Sequence, residues 1–261
     1  MLSRTCSARV LSGVLGAGGV VVLLSGWTFP GFGKKEAPKV PAVMTARYTA
    51  TPVTIDGNLD EPCWQTAAVY PLAFSQAQVE EGKALAEPGE VRLAWDAENF
   101  YVAVRYTDSD LVAEGTEDQL HHYKLGDLAE LFLKPENDTW YWELYVTPAG
   151  KRTSFWFPGR GRLGLESAYS YTCGLRVAAQ CQGTLNHWED KDTSWTGEMA
   201  MPIKDLTARG ETFGPGAAWR VMVSRYNYSR YLPWSELSMA PQLAKTNYHL
   251  LEDYAVLNLV K

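Results

Sequence analysis

The strongest constraint on the fold is an alternation of apolar and polar side chains that recurs along most of the chain. Residues 91–95 and 100–107 alternate in this way around a turn-forming segment, which predicts a hairpin with one face in the core. The same pattern predicts strands at residues 130–133, 140–147, 175–182, 220–224 and 254–259. Helical patterns are confined to residues 61–68 and 204–206. About ten strands joined by turns predict an all-β fold, a two-sheet antiparallel β-sandwich of jelly-roll-like form.

The first 33 residues have a different character from the rest of the chain. Arg4 and Arg9 precede residues 10–24, which carry no charge. A basic start followed by such a run is typical of an export signal, although the run is shorter than the roughly 20 residues that span a bilayer. We therefore expect an exported protein (periplasmic, cell-surface or secreted) with either a cleaved signal peptide or an N-terminal membrane anchor. Residues 34–45 are interpreted as a linker and residues 46–261 as one domain.

Charge and cysteine content exclude two classes of function. Residues 34–261 hold 22 Lys and Arg against 30 Asp and Glu, which disfavours nucleic-acid binding because that requires a basic surface. Cys63, Cys173 and Cys181 lack the spacing of a zinc ribbon. Cys173 and Cys181 would lie about 26 Å apart on one strand, so they form a disulfide only if the chain turns between them.

A series of short patterns occurs in a fixed order between residue 46 and the C-terminus. They are Ile55-Asp56-Gly57, Trp95-Asp96, Glu130-Leu131-Phe132-Leu133, Trp140-Tyr141-Trp142-Glu143-Leu144, Trp195-Thr196-Gly197-Glu198 and Tyr248-His249. In this order they resemble the family 9 carbohydrate-binding modules, a DOMON-like β-sandwich family. The resemblance implies a non-catalytic module that binds a saccharide or polysaccharide on a concave face, often beside glycoside hydrolases in polysaccharide catabolism.

The resemblance also implies a set of site residues. Family members clamp a terminal sugar between two Trp, and the matching positions here are Lys124, with Tyr123 beside it, and Tyr248. A ligand acid of the family matches Glu130, a ligand Arg falls on Tyr145, and a ligand Gln falls on Met222. For Tyr248 we expect a ring laid across the concave face, so that its removal weakens sugar binding and leaves stability nearly unchanged. The alternative is that Tyr248 packs beneath the last strand.

Strand alternation supports the same group of residues independently. If Leu131, Leu133, Leu144 and Val146 fill the core, then Glu130, Glu143 and Tyr145 point to the opposite face. There they could either bind sugar hydroxyls or form an ordinary solvated surface. Four tryptophans, by contrast, are expected in the core: Trp64, Trp95, Trp195 and Trp219.

Catalysis and metal binding have weaker support. Asp127 and Glu130 lie three residues apart, so a strand would not make them converge as a glycosidase acid pair must. Asp127 is expected to end a loop or to bind backbone amides. Asp108, Asp110 and Glu114 are candidate ligands for a structural calcium ion, with ordinary loop acids as the alternative. No nucleophile motif such as GxSxG is present.

Two other functions remain open from the sequence. The first is a haem b electron-transfer module, as in related sandwich domains of extracytoplasmic dehydrogenases. Its candidate ligands are Lys124, Met222, His121, His122, His187 and His249. The second is an envelope scaffold that has lost its ligand.

Overall fold

The computed structural model describes residues 42–261. The export segment and residues 34–41 of the expected linker therefore lie outside the described residues. The strands are β1 (Val43–Tyr48), β2 (Tyr70–Pro71), β3 (Gly89–Trp95), β4 (Asn99–Thr107), β5 (Leu128–Pro135), β6 (Tyr141–Val146), β7 (Arg152–Phe157), β8 (Arg176–Gln182), β9 (Ser194–Pro202), β10 (Trp219–Asn227), β11 (Glu236–Ala240) and β12 (Ala255–Val260). The helices are α1 (Pro62–Thr66), α2 (Gln76–Glu80), α3 (Glu166–Tyr169) and α4 (Ile203–Leu206).

Strand pairing confirms the all-β class. It differs from two antiparallel sheets because the strands form one continuous sheet and some of them are parallel. The strands form one hydrogen-bonded sheet in the order β7-β6-β5-β10-β12-β1-β3-β4-β9-β8, with β11 beside β10 and β2 beside β3. One half of the sheet is β7-β6-β5-β10, and the other half is β12-β1-β3-β4-β9-β8. The two halves are continuous because β10 pairs with β5 along its length and with β12 through Trp219 to Val221. The sheet is mixed because β1 runs parallel to both β12 and β3. β1 begins at Val43, so residues 43–45 belong to the sheet and not to a linker.

The main core lies between the two halves of this sheet. It contains the inward residues of β5 and β6, including Leu131, Leu133, Leu144 and Val146, together with Trp95, Trp195 and Trp219. Trp64 is buried in a smaller cluster that α1 forms against β3, β4 and β9. The four tryptophans predicted to be core residues are therefore all buried.

A second apolar cluster occupies the opposite face of β5, β6, β7 and β10. We call it the pocket-side cluster, and its buried members are Leu128, Phe132, Tyr141, Tyr145, Phe155, Phe157, Ala168, Met222, Met239, Leu243, Tyr248 and Tyr254. The predicted separation of Leu131 and Leu133 from Phe132, and of Leu144 from Tyr145, is confirmed. The alternative of an ordinary solvated surface is wrong, since this face is lined by aromatic rings and its acids are buried.

The Ile55-Asp56-Gly57 pattern forms a turn that is held against β8 and β9. The backbone N–H groups of Asp56 and Gly57 donate to Glu198 at 3.0 and 2.8 Å, and the indole of Trp64 donates to the other oxygen at 2.8 Å. Gly57 has a φ of +86°, and a Cβ added there would lie 2.6 Å from the carbonyl carbon of Ala179. The Ile55-Asp56-Gly57 and Trp195-Thr196-Gly197-Glu198 patterns therefore contact each other and have a structural role.

The predicted helices near residues 61–68 and 204–206 are confirmed as α1 and α4. Cys63, Cys173 and Cys181 are free thiols. None of the helices within residues 42–261 has the length and apolar character needed to cross a membrane.

Candidate functional site

A pocket of about 270 Å3 opens on the pocket-side cluster. Strands β5, β6, β7 and β10 form its floor, and the segment after β11 contributes Thr246, Asn247, Tyr248 and His249. The alternation of the floor strands sends apolar residues to the main core and leaves the intervening residues to line the pocket. The main core and the pocket therefore lie on opposite faces of these strands.

Two acids lie side by side on the pocket floor. Glu130 on β5 and Glu143 on β6 line the pocket and are only 2% and 5% exposed. The hydroxyl of Ser224 on β10 donates to Glu130 at 2.6 Å, and the hydroxyl of Tyr145 donates to Glu143. Tyr145 is the cross-strand neighbour of Glu130, and Ser224 is its neighbour on the other side. The register of β10, β5 and β6 therefore places Ser224, Glu130 and Tyr145 beside one another.

Burial disfavours ionisation of both carboxyls. It raises the pKa of Glu143 to about 7, although the Tyr145 hydrogen bond acts in the opposite direction. It also raises the pKa of Glu130 well above its ordinary value, and the neighbouring Glu143 adds to that rise.

One carboxylate oxygen faces the pocket without a hydrogen-bond partner. Within residues 42–261, Oε2 of Glu143 is buried and unpaired. Its nearest basic neighbour is His249, whose Nε2 lies 3.9 Å away, too far for a hydrogen bond. The other ring nitrogen of His249 is 2.8 Å from the hydroxyl of Tyr141. Burial, with the positive charge of Arg160, lowers the pKa of His249 to about 4, so this imidazole is neutral at neutral pH.

Aromatic rings form the remaining walls. Phe155 contacts Tyr169 with their ring centroids 4.9 Å apart, and Tyr123 contacts Tyr226 at 6.2 Å. Tyr123, Tyr169 and Tyr226 are only partly buried, so they have ring surface to offer a ligand. The site is therefore an aromatic enclosure with acids at its base.

Five of the six site residues chosen from the sequence line this pocket. They are Tyr123, Glu130, Glu143, Tyr145 and Tyr248. Lys124 is exposed and absent from the lining, and its ammonium lies 5.3 Å from the centroid of the Tyr123 ring. Tyr123, and not Lys124, occupies the pocket side of the short 3-10 helix at His122–Lys124. That these residues bind a ligand stays a prediction.

The expected position of Tyr248 is corrected by its burial. The side chain is 6% exposed and its hydroxyl donates to the carbonyl oxygens of Arg225 and Ser238 at 3.0 and 3.3 Å. A ring that is buried and held by its hydroxyl in this way packs beneath the pocket and does not lie across an open face. Met222 is fully buried as well and does not line the pocket.

Sequence reasoning missed several lining residues. Phe155 and Phe157 alternate in the unpredicted strand β7, where Arg152, Thr153 and Ser154 weaken the apolar signal. Tyr169 lies on the four-residue helix α3, and Tyr226 lies at the end of β10, beyond the predicted strand. His249 lies in the loop after β11, where no periodic pattern indicates which side chains line a saccharide site.

The other candidate polar residues have structural partners. Asp127 accepts from the backbone N–H groups of Val112 and Tyr228 at 2.7 and 2.6 Å, which confirms its predicted role. Asp108 forms a 3.0 Å ion pair with Arg225, and Asp110 accepts from the backbone of Arg230. Across residues 42–261, no three His, Cys, Asp or Glu side chains are grouped as metal ligands would be.

The adjacent histidines serve packing and hydrogen bonding. His121 contacts the ring of Tyr169 at 4.7 Å, whereas buried His122 bonds Thr153 and the carbonyl of Glu117. Of the candidate haem ligands, His249 lines the pocket, and Lys124, Met222, His121, His122 and His187 do not.

Solved structures with the same fold come from carbohydrate-binding proteins. A Bacteroides uniformis protein described as a candidate carbohydrate-binding protein matches with a TM-score of 0.61 and 12% identity, covering 85% of this chain and 100% of that one. A family 9 carbohydrate-binding module from Caldicellulosiruptor kristjanssonii, in complex with cellotriose, matches with a TM-score of 0.55 and 12% identity over 83% of this chain and 93% of that one. A structure of a family 9 module from the same organism in complex with glucose matches with a TM-score of 0.54 and 12% identity over 84% and 95% of the two chains.

The comparison at the level of sequence families is more specific. No curated protein matches the chain. The model of the family described as "Carbohydrate family 9 binding domain-like" matches residues 55–218, which is more than half of the chain and includes the strands that carry Glu130 and Glu143. The chain therefore belongs to the carbohydrate family 9 binding domain-like family.

Proposed function

We propose that this chain is a non-catalytic module that binds a saccharide in the pocket on β5, β6, β7 and β10. The observation that carries the proposal is the buried, unpaired Oε2 of Glu143 on the floor of an aromatic-lined cavity. A buried acceptor without a partner costs free energy, which a ligand hydroxyl would recover by donating to it. The family membership and the saccharides bound by the Caldicellulosiruptor modules support the same function.

The walls and floor supply the two kinds of contact that sugars require. A pyranose ring has C–H faces that pack against aromatic rings, here Tyr123, Tyr169 and Tyr226. Its hydroxyls need a few placed polar groups, here Glu143 and His249. At about 270 Å3 the cavity is close to the lower limit of ligand pockets, about 300 Å3, so we propose that it accepts one terminal sugar ring and not the middle of a chain.

The arrangement of the acids argues against hydrolysis. Glycosidase carboxyls flank the scissile bond from two sides. Glu130 and Glu143 instead lie on adjacent strands and form one floor, with Tyr145 and Ser224 bonded to them. We propose that they bind and do not turn over saccharide.

For location, we propose an exported protein, whether periplasmic, on the cell surface or secreted. The support is the basic start and uncharged run within residues 1–33, which serve either as a cleaved signal or as a membrane tether. In that setting a saccharide-binding module would act in polysaccharide catabolism.

Calorimetric titration of the purified chain with glucose, cellobiose, cellotriose and a wider glycan panel tests the proposed function. We expect saturable binding that Tyr123→Ala weakens about tenfold, since a stacked ring buries enough apolar surface for roughly 1–2 kcal/mol. Tyr231→Ala is the matched control, because Tyr231 is an exposed ring that does not line the pocket. A folded protein that binds nothing in the panel would refute the proposal.

A further inference from the structure

The lining of the pocket holds more acidic than basic side chains. Its described lining residues include two acids and no Lys or Arg. The one basic side chain in the lining, His249, is neutral because burial lowers its pKa to about 4. Arg160 is nearby, but it donates to the carbonyl of His249 and forms a 3.0 Å ion pair with Glu252. Within residues 42–261, no cation in the pocket lining thus compensates Glu130 and Glu143.

This imbalance has an energetic consequence for ligands. A buried carboxylate without a compensating charge is unfavourable, and each acid raises the free energy of ionising the other. A cation placed between the rings and the acids would favour ionisation of both. Since Oε2 of Glu143 is buried and unpaired on a residue that lines the pocket, it is positioned to accept from such a cation. A neutral hydroxyl would satisfy that hydrogen bond but would not favour ionisation of either acid.

The walls are also suited to a cation. The negative face of an aromatic ring attracts ammonium groups within about 6 Å of its centroid. The ring of Tyr123 already has one such neighbour, the ammonium of Lys124 at 5.3 Å on the outside of the pocket. Tyr169 and Tyr226 present further rings around the acids. An aromatic enclosure with two buried acids is the chemical environment that binds amines.

We propose that the preferred ligand is a saccharide that carries a free amino group, held with its ammonium against Glu143 and Glu130 and its ring against the aromatic walls. This inference depends on the proposed saccharide-binding function and specifies its ligand class. It excludes the N-acetylated form of the same sugar as a preferred ligand, because an amide has no charge to offer the acids.

Three matched ligands test the inference on the full chain. They are the β-1,4-linked trisaccharide of glucosamine, cellotriose and the trisaccharide of N-acetylglucosamine, titrated by calorimetry at a pH where the amine is protonated. We expect the amine to bind at least tenfold more tightly than cellotriose, equivalent to about 1.4 kcal/mol, and the acetylated form to bind no more tightly than cellotriose. Equal or weaker binding of the amine overturns the inference and leaves saccharide binding standing. Failure of all three to bind overturns the inference, and the wider glycan panel then decides whether the proposed saccharide binding stands.

A second measurement separates charge recognition from general affinity. Because a bound ammonium favours the ionised acids, its binding should release protons near pH 6.5, whereas cellotriose should release fewer. Repeating the titrations in two buffers with different ionisation enthalpies measures that release. Glu143→Gln should remove the preference for the amine while cellotriose binding changes less. Glu189→Gln, the same substitution at an exposed side chain outside the pocket, should retain the preference. An amine preference that survives Glu143→Gln contradicts the assignment to this acid.

Discussion

The hydroxyl of Tyr248 donates a 3.0 Å hydrogen bond to the backbone carbonyl of Arg225, which ties the loop that closes the pocket to the central strand β10. The hydroxyl of Tyr254 in turn donates to the carbonyl of Tyr248 at 2.6 Å. The ring of Tyr248 also contacts those of Phe132 and Tyr226. Tyr248 therefore connects the pocket loop, the floor strands and the start of β12.

Tyr248→Ala is expected to destabilise the protein, contrary to what its sequence position alone suggests. Removing a buried aromatic side chain costs about 3–5 kcal/mol, and the two carbonyls lose their donor. Tyr248→Phe keeps the ring and should cost only about 1 kcal/mol. Chemical denaturation of both variants checks this order. An unchanged unfolding midpoint for Tyr248→Ala would show that the ring is not a packing residue.

The contribution of Glu143 to stability is expected to fall as the pH rises from about 4.5 to about 7. Glu143 keeps its proton in the folded state up to its raised pKa of about 7, whereas the unfolded chain releases it near the ordinary value of 4.5. In that interval the folded state binds more protons at this carboxyl, so its contribution is full below about pH 4.5 and decreases toward pH 7. His249, whose pKa burial lowers from 6.5 to about 4, contributes a slope of the opposite sign between those two values.

Denaturant titrations between pH 4.5 and 7.5 measure that dependence. Glu143→Gln should make the curve shallower, by at most about 1.4 kcal/mol per pH unit for one proton. The curve of that variant should keep a residual slope of the same sign, because burial also raises the pKa of Glu198 to about 7. The control variant Glu189→Gln should give the same pH dependence of stability as the wild-type protein. A slope that Glu143→Gln does not change would mean that this carboxyl is already ionised in the folded state.

The contact between Gly57 and β8 predicts a position-specific effect of a single methyl group. Gly57→Ala should be destabilising because its Cβ would meet the Ala179 backbone at 2.6 Å. Crowding of this kind typically costs about 1–3 kcal/mol, in addition to the cost of a left-handed φ. Gly82→Ala is the matched control, since Gly82 has a φ of +82° and no atom within 4 Å of the added Cβ. Thermal melts that show equal losses for both variants would contradict a role for the contact.

Loss of Glu198 should be more severe than either glycine change. Glu198→Ala would leave the indole of Trp64 and two backbone N–H groups without an acceptor. At about 1–3 kcal/mol for each of the two buried donors, the Gly57 N–H and the Trp64 indole, we expect a loss of at least about 2 kcal/mol. Urea unfolding gives the value, and a loss below 1 kcal/mol would show that water replaces the carboxylate.

Residues 42–261 produced alone are expected to unfold in one cooperative transition. All twelve strands described here begin at or after Val43, so removing the first 41 residues removes none of them. Circular dichroism during thermal unfolding, compared with near-ultraviolet fluorescence, checks for a single transition. Aggregation or two separate transitions would indicate that residues 1–41 contribute to the fold.

The sequence by itself determined the fold class and most of the strands in the chain's centre. Where apolar and polar residues alternate strictly, as in β4 and β6, the pattern reports which face meets the core. It was silent at β1, whose inward residues Met44 and Ala46 are weak strand formers, and at β7. It could not show that β1 runs parallel to its neighbours, because strand direction depends on which distant segments pair.

The candidate site shows the same division. Alternation placed Glu130, Glu143 and Tyr145 on one face, and the family resemblance added Tyr123 and Tyr248. Only the tertiary structure decided that this face is a buried aromatic pocket, that Tyr248 is held beneath it, and that His249, Phe155 and Tyr169 complete it. The physical reason is that periodicity reports a local preference for one side of a strand. Depth, pairing and charge balance arise when strands and loops far apart in the chain come together.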